Sequence, residues 1–179
     1  MKKIILTVFA ASSLLLYSTQ AFALFSVSVG TPLAYSFATG GSNSNTEGYF
    51  LGVQLPFALG LGMDSHKLKS DTGSTELHTN MYNLFYQLPI PVINLILGVG
   101  TGSQEYICND VGNGKSCSDA LDKGSATQLY TSVGFPIMPL FDVHISYRMI
   151  TSKNIKVKET GAKVDFSGSV TGIGFAFNF

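Results

Sequence analysis

The stretch "FDVHISYRM", residues 141–149, decides the fold. Its odd positions hold the apolar residues Phe141, Val143, Ile145, Tyr147 and Met149, and its even positions hold Asp142, His144, Ser146 and Arg148. A period of two places these sets on opposite faces of a β-strand. The stretch therefore predicts a strand with one apolar face and one face that carries ionisable groups.

Similar alternation extends the prediction to eight strands, at 25–36, 48–56, 58–68, 76–88, 92–105, 124–135, 139–150 and 164–179. Lengths of roughly 9–16 residues suit tilted strands that cross a bilayer, which need about 9–11 residues. Strands of soluble proteins are usually shorter, at about 5–6 residues. The segment 76–88 does not alternate cleanly, which predicts a bulge partway along it.

Short turns and long polar loops separate these strands in strict alternation. Prolines in "LPF", "LPIP" and "FPIMP" predict three turns, because proline cannot donate a hydrogen bond to a central ladder. Polar stretches at 38–47, 69–75, about 106–123 and 151–163 predict four loops. Strands joined in this way form an antiparallel up-and-down meander.

The small residues on the polar faces favour a membrane barrel over a soluble sandwich. Glycine is a poor choice for the wet face of a soluble sheet, because it weakens strands. A barrel in lipid turns its apolar face outward and its small and polar residues inward, and closure removes the sheet edges. The predicted fold class is an all-β, eight-stranded antiparallel transmembrane β-barrel over residues 24–179, whose interior is just wide enough for side chains.

Residues 1–23 predict a cleaved secretory signal peptide. Two lysines precede an apolar run, and "AFA" at 21–23 offers small residues for cleavage. The alternative is a membrane anchor, for which the run is short. Cleavage leaves 9 of the 11 basic residues against 11 acidic ones, so no nucleic-acid partner is expected.

Two cysteines, Cys108 and Cys117, lie in a segment rich in turn-forming residues. In an exported chain, this spacing predicts a disulfide that pins a loop. Two thiols without a nearby histidine make a poor metal site. We expect no cofactor from the sequence.

Six residues with inward parity are the candidate site: Asp64, His66, Asp142, His144, Ser146 and Arg148. The third and seventh strands lie on opposite sides of an eight-stranded ring, so an ion pair between Asp64 and Arg148 is expected. We interpret the set as a polar network that fills a narrow lumen. A lumen that conducts protons or ions is the alternative. A metal ion held jointly by both Asp-x-His pairs is not expected, because their heights differ.

The signal peptide, the eight amphipathic strands, the alternating connections and the terminal aromatic residue together resemble one family. It is that of the small outer-membrane β-barrel proteins of Gram-negative bacteria, the group of the OmpA transmembrane domain, OmpX and NspA. In this family the last strand carries a signal for the barrel-assembly machinery, which Gly174, Phe177 and Phe179 match. Gly172 departs from the motif, because a polar residue is expected there. The resemblance implies an outer-membrane location with periplasmic termini and turns and four extracellular loops.

The expected function is a structural or surface-interaction role through the loops, with little or no pore. Expected partners are outer-membrane lipid, an extracellular ligand and lipopolysaccharide, whose phosphates would meet Lys153, Lys156 and Lys158. The first alternative is a conduit for small apolar or ionic solutes, as in OmpW-like barrels. Inward glycines would leave room for it, and Phe50 and Ile96 would add an apolar lining.

The second alternative is a hydrolase that modifies lipid A, since some lipid A deacylases are also eight-stranded barrels. His144 and Ser146 have the His-x-Ser spacing of those enzymes, and Glu159 or Asp165 would supply the acid. Tyr147 stands where that family has asparagine, and the parity of His144 points inward rather than toward lipid. Enzymatic activity is therefore not the expected function.

Overall fold

The computed structural model describes residues 25–38, 42–43, 45–69, 75–88, 90, 93–108, 123–138, 140–152, 155–156 and 163–179. The predicted signal peptide lies outside these residues. Within them, no helix is long and apolar enough to cross a membrane. The described secondary structure is β, apart from one three-residue 3₁₀ turn at Pro56–Ala58.

Eleven strands occur in the described part of the chain. In order they are β1 (Ser26–Phe37), β2 (Ser42–Asn43), β3 (Thr46–Gln54), β4 (Leu59–Lys69), β5 (Thr75–Leu88), β6 (Asn94–Cys108), β7 (Gly124–Met138), β8 (Phe141–Thr151), β9 (Ile155–Lys156), β10 (Lys163–Val164) and β11 (Gly168–Asn178). The eight long strands pair antiparallel in chain order, and β11 closes the ring against β1. The predicted eight-stranded meander is confirmed.

The two ends of the barrel differ in their connections. The short connections after β3, β5 and β7 lie at one end, here called the turn end, and the opposite end is the loop end. Phe25 and Phe179 also lie at the turn end, where the Phe179 amide donates a 2.8 Å hydrogen bond to the Phe25 carbonyl. The described chain ends therefore meet in the closing seam.

The outward face of the barrel wall is apolar over most of its height. Exposed side chains on this face include Val27, Val29, Leu51, Leu61, Leu84, Val99, Leu129, Ile145, Met149 and Phe175. Buried polar side chains alternate with them on the same strands. This arrangement is the reverse of a soluble β-protein and is that of a barrel in lipid.

Bulges beside two prolines change the predicted faces and turns. The register between β1 and β11 shifts between Pro32 and Ala34, so Tyr35 is fully buried in the lumen. The alternation of the sequence would place Tyr35 on the outward face with Leu33, and the bulge reverses that side. Pro136, predicted in a turn, lies inside β7 beside a second register shift. Both positions agree with the restriction of strand prolines to edges and bulges.

The predicted bulge in β5 is wrong. Residues 75–88 pair with β4 and β6 without a register shift. Toward the turn end, Leu84 faces out and Asn83 faces in, whereas toward the loop end His78 faces out and Leu77 faces in. The apolar residues thus move from one face to the other along a regular strand, which produces the mixed pattern.

Inward glycines make room for bulky neighbours on the adjacent strand. Gly60 is paired with Phe85, and Gly98 is paired with Tyr130. A Cβ atom built on either glycine would overlap the neighbouring ring. The narrow lumen therefore accepts large side chains because the residue beside each of them has none.

Candidate functional site in the lumen

Many of the described lumen side chains fall into four clusters, whereas His66, Thr79 and Gln104 are buried outside them. The Asp142 cluster, at the turn end, contains Gln87, Asn94, Asp142, His144 and Asn178. The aromatic cluster contains Phe85, Ile96 and Tyr130. The ion-pair cluster contains Asn83, Asp64, Gln128, Ser146 and Arg148. The apolar plug, which reaches the loop end, contains Tyr35, Phe50, Leu68, Leu77, Met81, Ala126, Ile150 and Val170.

An ion pair crosses the lumen between β8 and β4. Arg148 Nε donates to Asp64 Oδ2 at 2.9 Å, and the side chains are only 7% and 2% exposed. Gln128 Nε2 donates to the same oxygen at 2.6 Å and lies 2.9 Å from Asn83 Oδ1. The carboxylate that Arg148 neutralises is thus also hydrogen-bonded to a neutral amide.

Two aromatic rings pack against the Arg148 guanidinium. Its central carbon lies 3.5 Å from the centroid of the Phe50 ring and 5.1 Å from that of Tyr130. Arg148 Nη1 also donates to Ser146 Oγ. Stacking over ring faces attracts a cation, and the hydrogen bonds offset part of its desolvation. The arrangement holds a charged pair in the middle of a narrow lumen.

The Asp142 cluster surrounds a carboxylate with amides. Asn94 Nδ2 and Asn178 Nδ2 donate to Asp142 Oδ2, the latter at 2.8 Å. Gln87 Nε2 donates to Asn94 Oδ1 at 2.7 Å. His144 Nε2 lies 3.8 Å from Asp142 Oδ2. Asp142 Oδ1 and His144 Nε2 have no hydrogen-bond partner among the described residues.

The apolar plug closes the lumen toward the loop end. Tyr35 lies fully buried in it, and its hydroxyl donates a 2.7 Å hydrogen bond to the carbonyl of Phe166, just before β11. The Phe166 ring stacks on Tyr106 with centroids 5.4 Å apart. The segment leading into β11 is therefore tied to the plug by a hydrogen bond and an aromatic stack.

Two cavities bounded by described residues are of the size of a few water molecules. One, of about 50 Å³, lies between the ion-pair cluster and the Asp142 cluster and is lined by residues that include Arg148 and His144. The other, of about 10 Å³, adjoins Asp142, His144, Gln87 and Asn178. Since one water needs about 10–15 Å³ of such space, the first cavity has room for a few waters and the second for about one.

All six candidate residues from the sequence are buried in the lumen. The two Asp-x-His pairs do not meet, because Asp64 belongs to the ion-pair cluster and Asp142 to the cluster at the turn end. His66 packs near the Phe50 ring, with centroids 6.1 Å apart, and neither of its ring nitrogens has a hydrogen-bond partner among the described residues.

The residues of the hydrolase alternative are not arranged as a catalytic set. Ser146 Oγ accepts from Arg148, whereas His144 Nδ1 lies 3.4 Å from Ser132 Oγ. Asp165 Oδ1 accepts the Ser167 amide at 2.8 Å, and Glu159 lies outside the described residues. The alternative requires His144 and Ser146 to face lipid, but both face the lumen.

Sequence reasoning missed several lumen residues. The amides of Asn94, Gln128 and Asn178 donate to the two carboxylates, and Gln87 donates to Asn94. Their inward parity was a signal that could have placed them in the site. Tyr35 carried no such signal, because the bulge beside Pro32 moves it into the lumen.

No family model matches the chain, and no curated protein matches its sequence. Solved structures do match its fold. Neisserial surface protein A superposes with a TM-score of 0.60 at 15% identity, covering 87% of this chain and 97% of that one. The chain has the fold of the small eight-stranded outer-membrane barrels.

Two further structures support this assignment. The N-terminal barrel of Pseudomonas aeruginosa OprF gives a TM-score of 0.56 at 12% identity, covering 86% and 97% of the two chains. The attachment invasion locus protein Ail of Yersinia pestis gives 0.53 at 13% identity, covering 86% and 96%. The predicted resemblance is confirmed at the level of fold, and these neighbours support an outer-membrane location.

The three residues of the predicted assembly signal lie near the turn end of β11. Gly174 pairs with Gly30, and a Cβ atom on it would lie 2.6 Å from the Val29 carbonyl oxygen. The Phe177 ring contacts Phe179, with centroids 4.4 Å apart. Their role as a signal stays a prediction. The disulfide also stays a prediction, because Cys108 ends β6 and Cys117 lies outside the described residues.

Proposed function

We propose that this protein is a structural outer-membrane barrel with little or no pore, which interacts with its surroundings through the loop end. The filled lumen is the observation that supports this proposal. The apolar plug follows the ion-pair cluster along the axis, and the described cavities measure about 50 and 10 Å³. A hydrated ion would have to lose its water beside the plug, which is costly without compensating polar groups.

The proposal places the loop end outside the cell and the turn end in the periplasm. Short periplasmic turns and longer extracellular loops are general in this class of barrel. At the loop end, the outward face of β4–β6 turns polar, with Lys67, His78 and Glu105 on three neighbouring strands. A polar outer wall fits a part of the barrel that extends past the lipid. The barrel-assembly machinery would then meet Phe179 from the periplasmic side.

Lipopolysaccharide is the surface partner that the chain favours. Its phosphates would meet Lys153, Lys156 and Lys158, of which Lys156 is described and exposed. An extracellular ligand would contact the same end, since loops on a rigid frame commonly carry binding residues.

Conductance across planar bilayers tests the closed lumen. We expect the wild-type barrel to give no stable current steps above those of the lipid alone. Two variants extend the measurement: Asp64→Ala/Arg148→Ala, which removes the charged pair from the lumen, and Val99→Ala, which trims the lipid face. Wild-type steps that the double variant alters and Val99→Ala leaves unchanged would show that the lumen conducts, contrary to the proposal.

Thermal unfolding in vesicles tests the lipopolysaccharide contact. Lipopolysaccharide should raise the melting temperature of the wild type above its value in phospholipid, and Lys153→Gln/Lys156→Gln/Lys158→Gln should lose much of that increase. The control is Lys67→Gln/Lys123→Gln, which removes two exposed lysines from the barrel wall. Equal increases in all three chains would contradict a role for the lysine-rich loop.

A further inference from the structure

Two neighbouring residues of the Asp142 cluster each carry an unpartnered ligand atom. Asp142 Oδ1 and His144 Nε2 are both buried, and neither has a hydrogen-bond partner among the described residues. Asp142 is 1% exposed and His144 is 7% exposed. Buried polar atoms are nearly always satisfied, so each such atom calls for a partner that the protein itself does not supply.

The charge of the Asp142 carboxylate has no fixed counterion. The two side chains that donate to its Oδ2 atom are neutral amides, Asn94 and Asn178. The other buried carboxylate of the described lumen, Asp64, is neutralised by Arg148. The basic side chain within ion-pair distance of Asp142 in the described part is that of His144, whose Nε2 atom lies 3.8 Å from Asp142 Oδ2. Burial of a charge without a partner is strongly unfavourable.

A small cavity adjoins both residues. Its volume is about 10 Å³, and the polar residues that line it with Asp142 and His144 are Ser26, Ser28, Gln54, Gln87 and Asn178. The space is about that of a single water or a single small cation. The lining offers hydroxyl and amide oxygens in addition to the carboxylate and the imidazole nitrogen. Asn178 and Asp142 stand close to the turn-end rims of β11 and β8, so the cavity lies near that mouth of the barrel.

We propose that Asp142 and His144 form a binding site for one divalent first-row transition-metal ion, such as Zn²⁺. Asp142 Oδ1 and His144 Nε2 are the ligating atoms, and since the described residues place no third acidic, histidine or cysteine ligand there, oxygens of the lining supply the other two positions of a four-coordinate shell. Imidazole with carboxylate suits zinc and its neighbours, whereas Ca²⁺ and Mg²⁺ take shells of six or more oxygens. The site uses one Asp-x-His pair and does not depend on whether the lumen conducts.

Competition with a chromophoric chelator measures the site. The untagged mature barrel, folded in detergent, is titrated with Zn²⁺, and we expect one equivalent to be withheld from the chelator. Asp142→Asn and His144→Gln should each weaken this binding at least tenfold. Folding of each variant is checked by circular dichroism. Since either variant could fail to fold, zinc-soaked crystals of the wild type provide a second measurement, in which an anomalous peak about 2.0–2.2 Å from both ligand atoms is expected.

Two controls separate this site from other zinc ligands. His78→Gln removes the half-buried histidine on the outer wall that contacts Glu76 at 2.6 Å, and Cys108→Ser/Cys117→Ser removes the thiols. Both variants should bind Zn²⁺ as the wild type does. The proposal is overturned if Asp142→Asn and His144→Gln bind as tightly as the wild type, if either control abolishes the binding, or if the soaked crystal has no anomalous peak between Asp142 and His144.

Discussion

The two ends of the same strands turn their apolar residues to opposite faces of the barrel wall. In the apolar band, Leu84 faces outward and Asn83 faces the lumen, as lipid requires. Near the loop end of β5, His78 faces outward and Leu77 is 3% exposed in the plug. Leu77 pairs with Leu68, and His78 pairs with Lys67, so the adjacent strand β4 shows the same inversion. The loop end is therefore built like a small soluble β-barrel set on top of a membrane one.

This difference explains why the lumen is closed in two ways. Where the wall is polar outside, the interior can collect apolar side chains, as any soluble core does. Where the wall is apolar outside, most inward residues apart from the aromatic cluster are small or polar, and the polar ones must satisfy one another's hydrogen bonds. The ion-pair cluster lies near the boundary at which the outward face turns from apolar to polar. Phe50 joins this cluster to the plug, because its ring lies over the Arg148 guanidinium.

The largest expected loss of stability comes from breaking the ion pair between Arg148 and Asp64, which lies near the boundary between the apolar band and the loop end. Asp64→Asn leaves the Arg148 guanidinium buried without its counter-charge, which should cost about 3–5 kcal/mol of unfolding free energy. Urea-induced unfolding from lipid vesicles measures the loss. In the double variant Asp64→Asn/Arg148→Gln the loss should be well below the sum of the single losses. Additive losses would show that the two side chains are not coupled.

Removal of an apolar side chain at the loop end tests the inversion directly. Leu77→Ala should lower the unfolding free energy by about 2–4 kcal/mol, because it leaves a cavity in the plug. The same unfolding assay applies. Its matched control is the next residue, since His78→Ala alters the outward wall and should change stability by less than about 1 kcal/mol. If His78→Ala were the more damaging of the two, residues at the loop end would follow the lipid-facing rule and the inversion would be wrong.

The sequence correctly predicted the part of the barrel in which apolar residues face outward and polar residues face the lumen. Strand β8 alternates cleanly over its whole length, and all the inward residues expected from "FDVHISYRM" are buried. The same parity placed Asp64 and Arg148 on facing walls, where they form their ion pair.

The sequence-based prediction failed where the alternation of apolar and polar residues no longer showed which face of a strand points to the lumen. β5 keeps a regular register while its apolar residues change faces, and polarity alone could not separate this change from a bulge. Conversely, the real bulge in β1 follows Pro32, where the apolar pattern continued through Tyr35. The two side chains that donate to Asp142 come from β6 and β11, and Gln87, which donates to one of them, comes from β5. Their meeting depends on barrel closure, which a linear pattern does not contain.

Filling the space beside a lumen ring should have an intermediate effect. Gly60→Ala places a methyl group where it overlaps the Phe85 ring, so overpacking should cost about 1–3 kcal/mol. The double variant Gly60→Ala/Phe85→Leu should recover part of this loss. The matched control is Gly62→Ala on the same strand, whose nearest atom would be the Leu51 carbonyl oxygen at 3.0 Å. Equal losses for both glycines would indicate that glycine acts through the backbone rather than through the space it leaves.

The smallest expected effect lies on the polar wall at the loop end, past the apolar band. The hydrogen bond from His78 holds the pKa of Glu76 below its ordinary value of 4.5. A carboxyl with a lowered pKa stabilises the folded state above that value, and the contribution is lost as pH falls through the pKa of the folded state. Glu76→Gln should therefore cost less than about 1 kcal/mol at neutral pH, because ion pairs on the outer wall that stay in contact with solvent contribute little. The difference from wild type should vanish in acid.

Unfolding curves recorded from pH 7 to pH 3 measure this difference, with Glu105→Gln as the control that removes a neighbouring carboxylate and leaves the Glu76 hydrogen bond intact. The wild type and Glu76→Gln should converge at the acidic end, whereas the control should not reproduce the pattern. A Glu76→Gln penalty that grows in acid would contradict the lowered pKa of Glu76. A penalty larger than that of Leu77→Ala would mean that the outer wall at the loop end contributes more to stability than the plug behind it. The description of the loop end as a soluble core with a solvated wall would then have to be reversed.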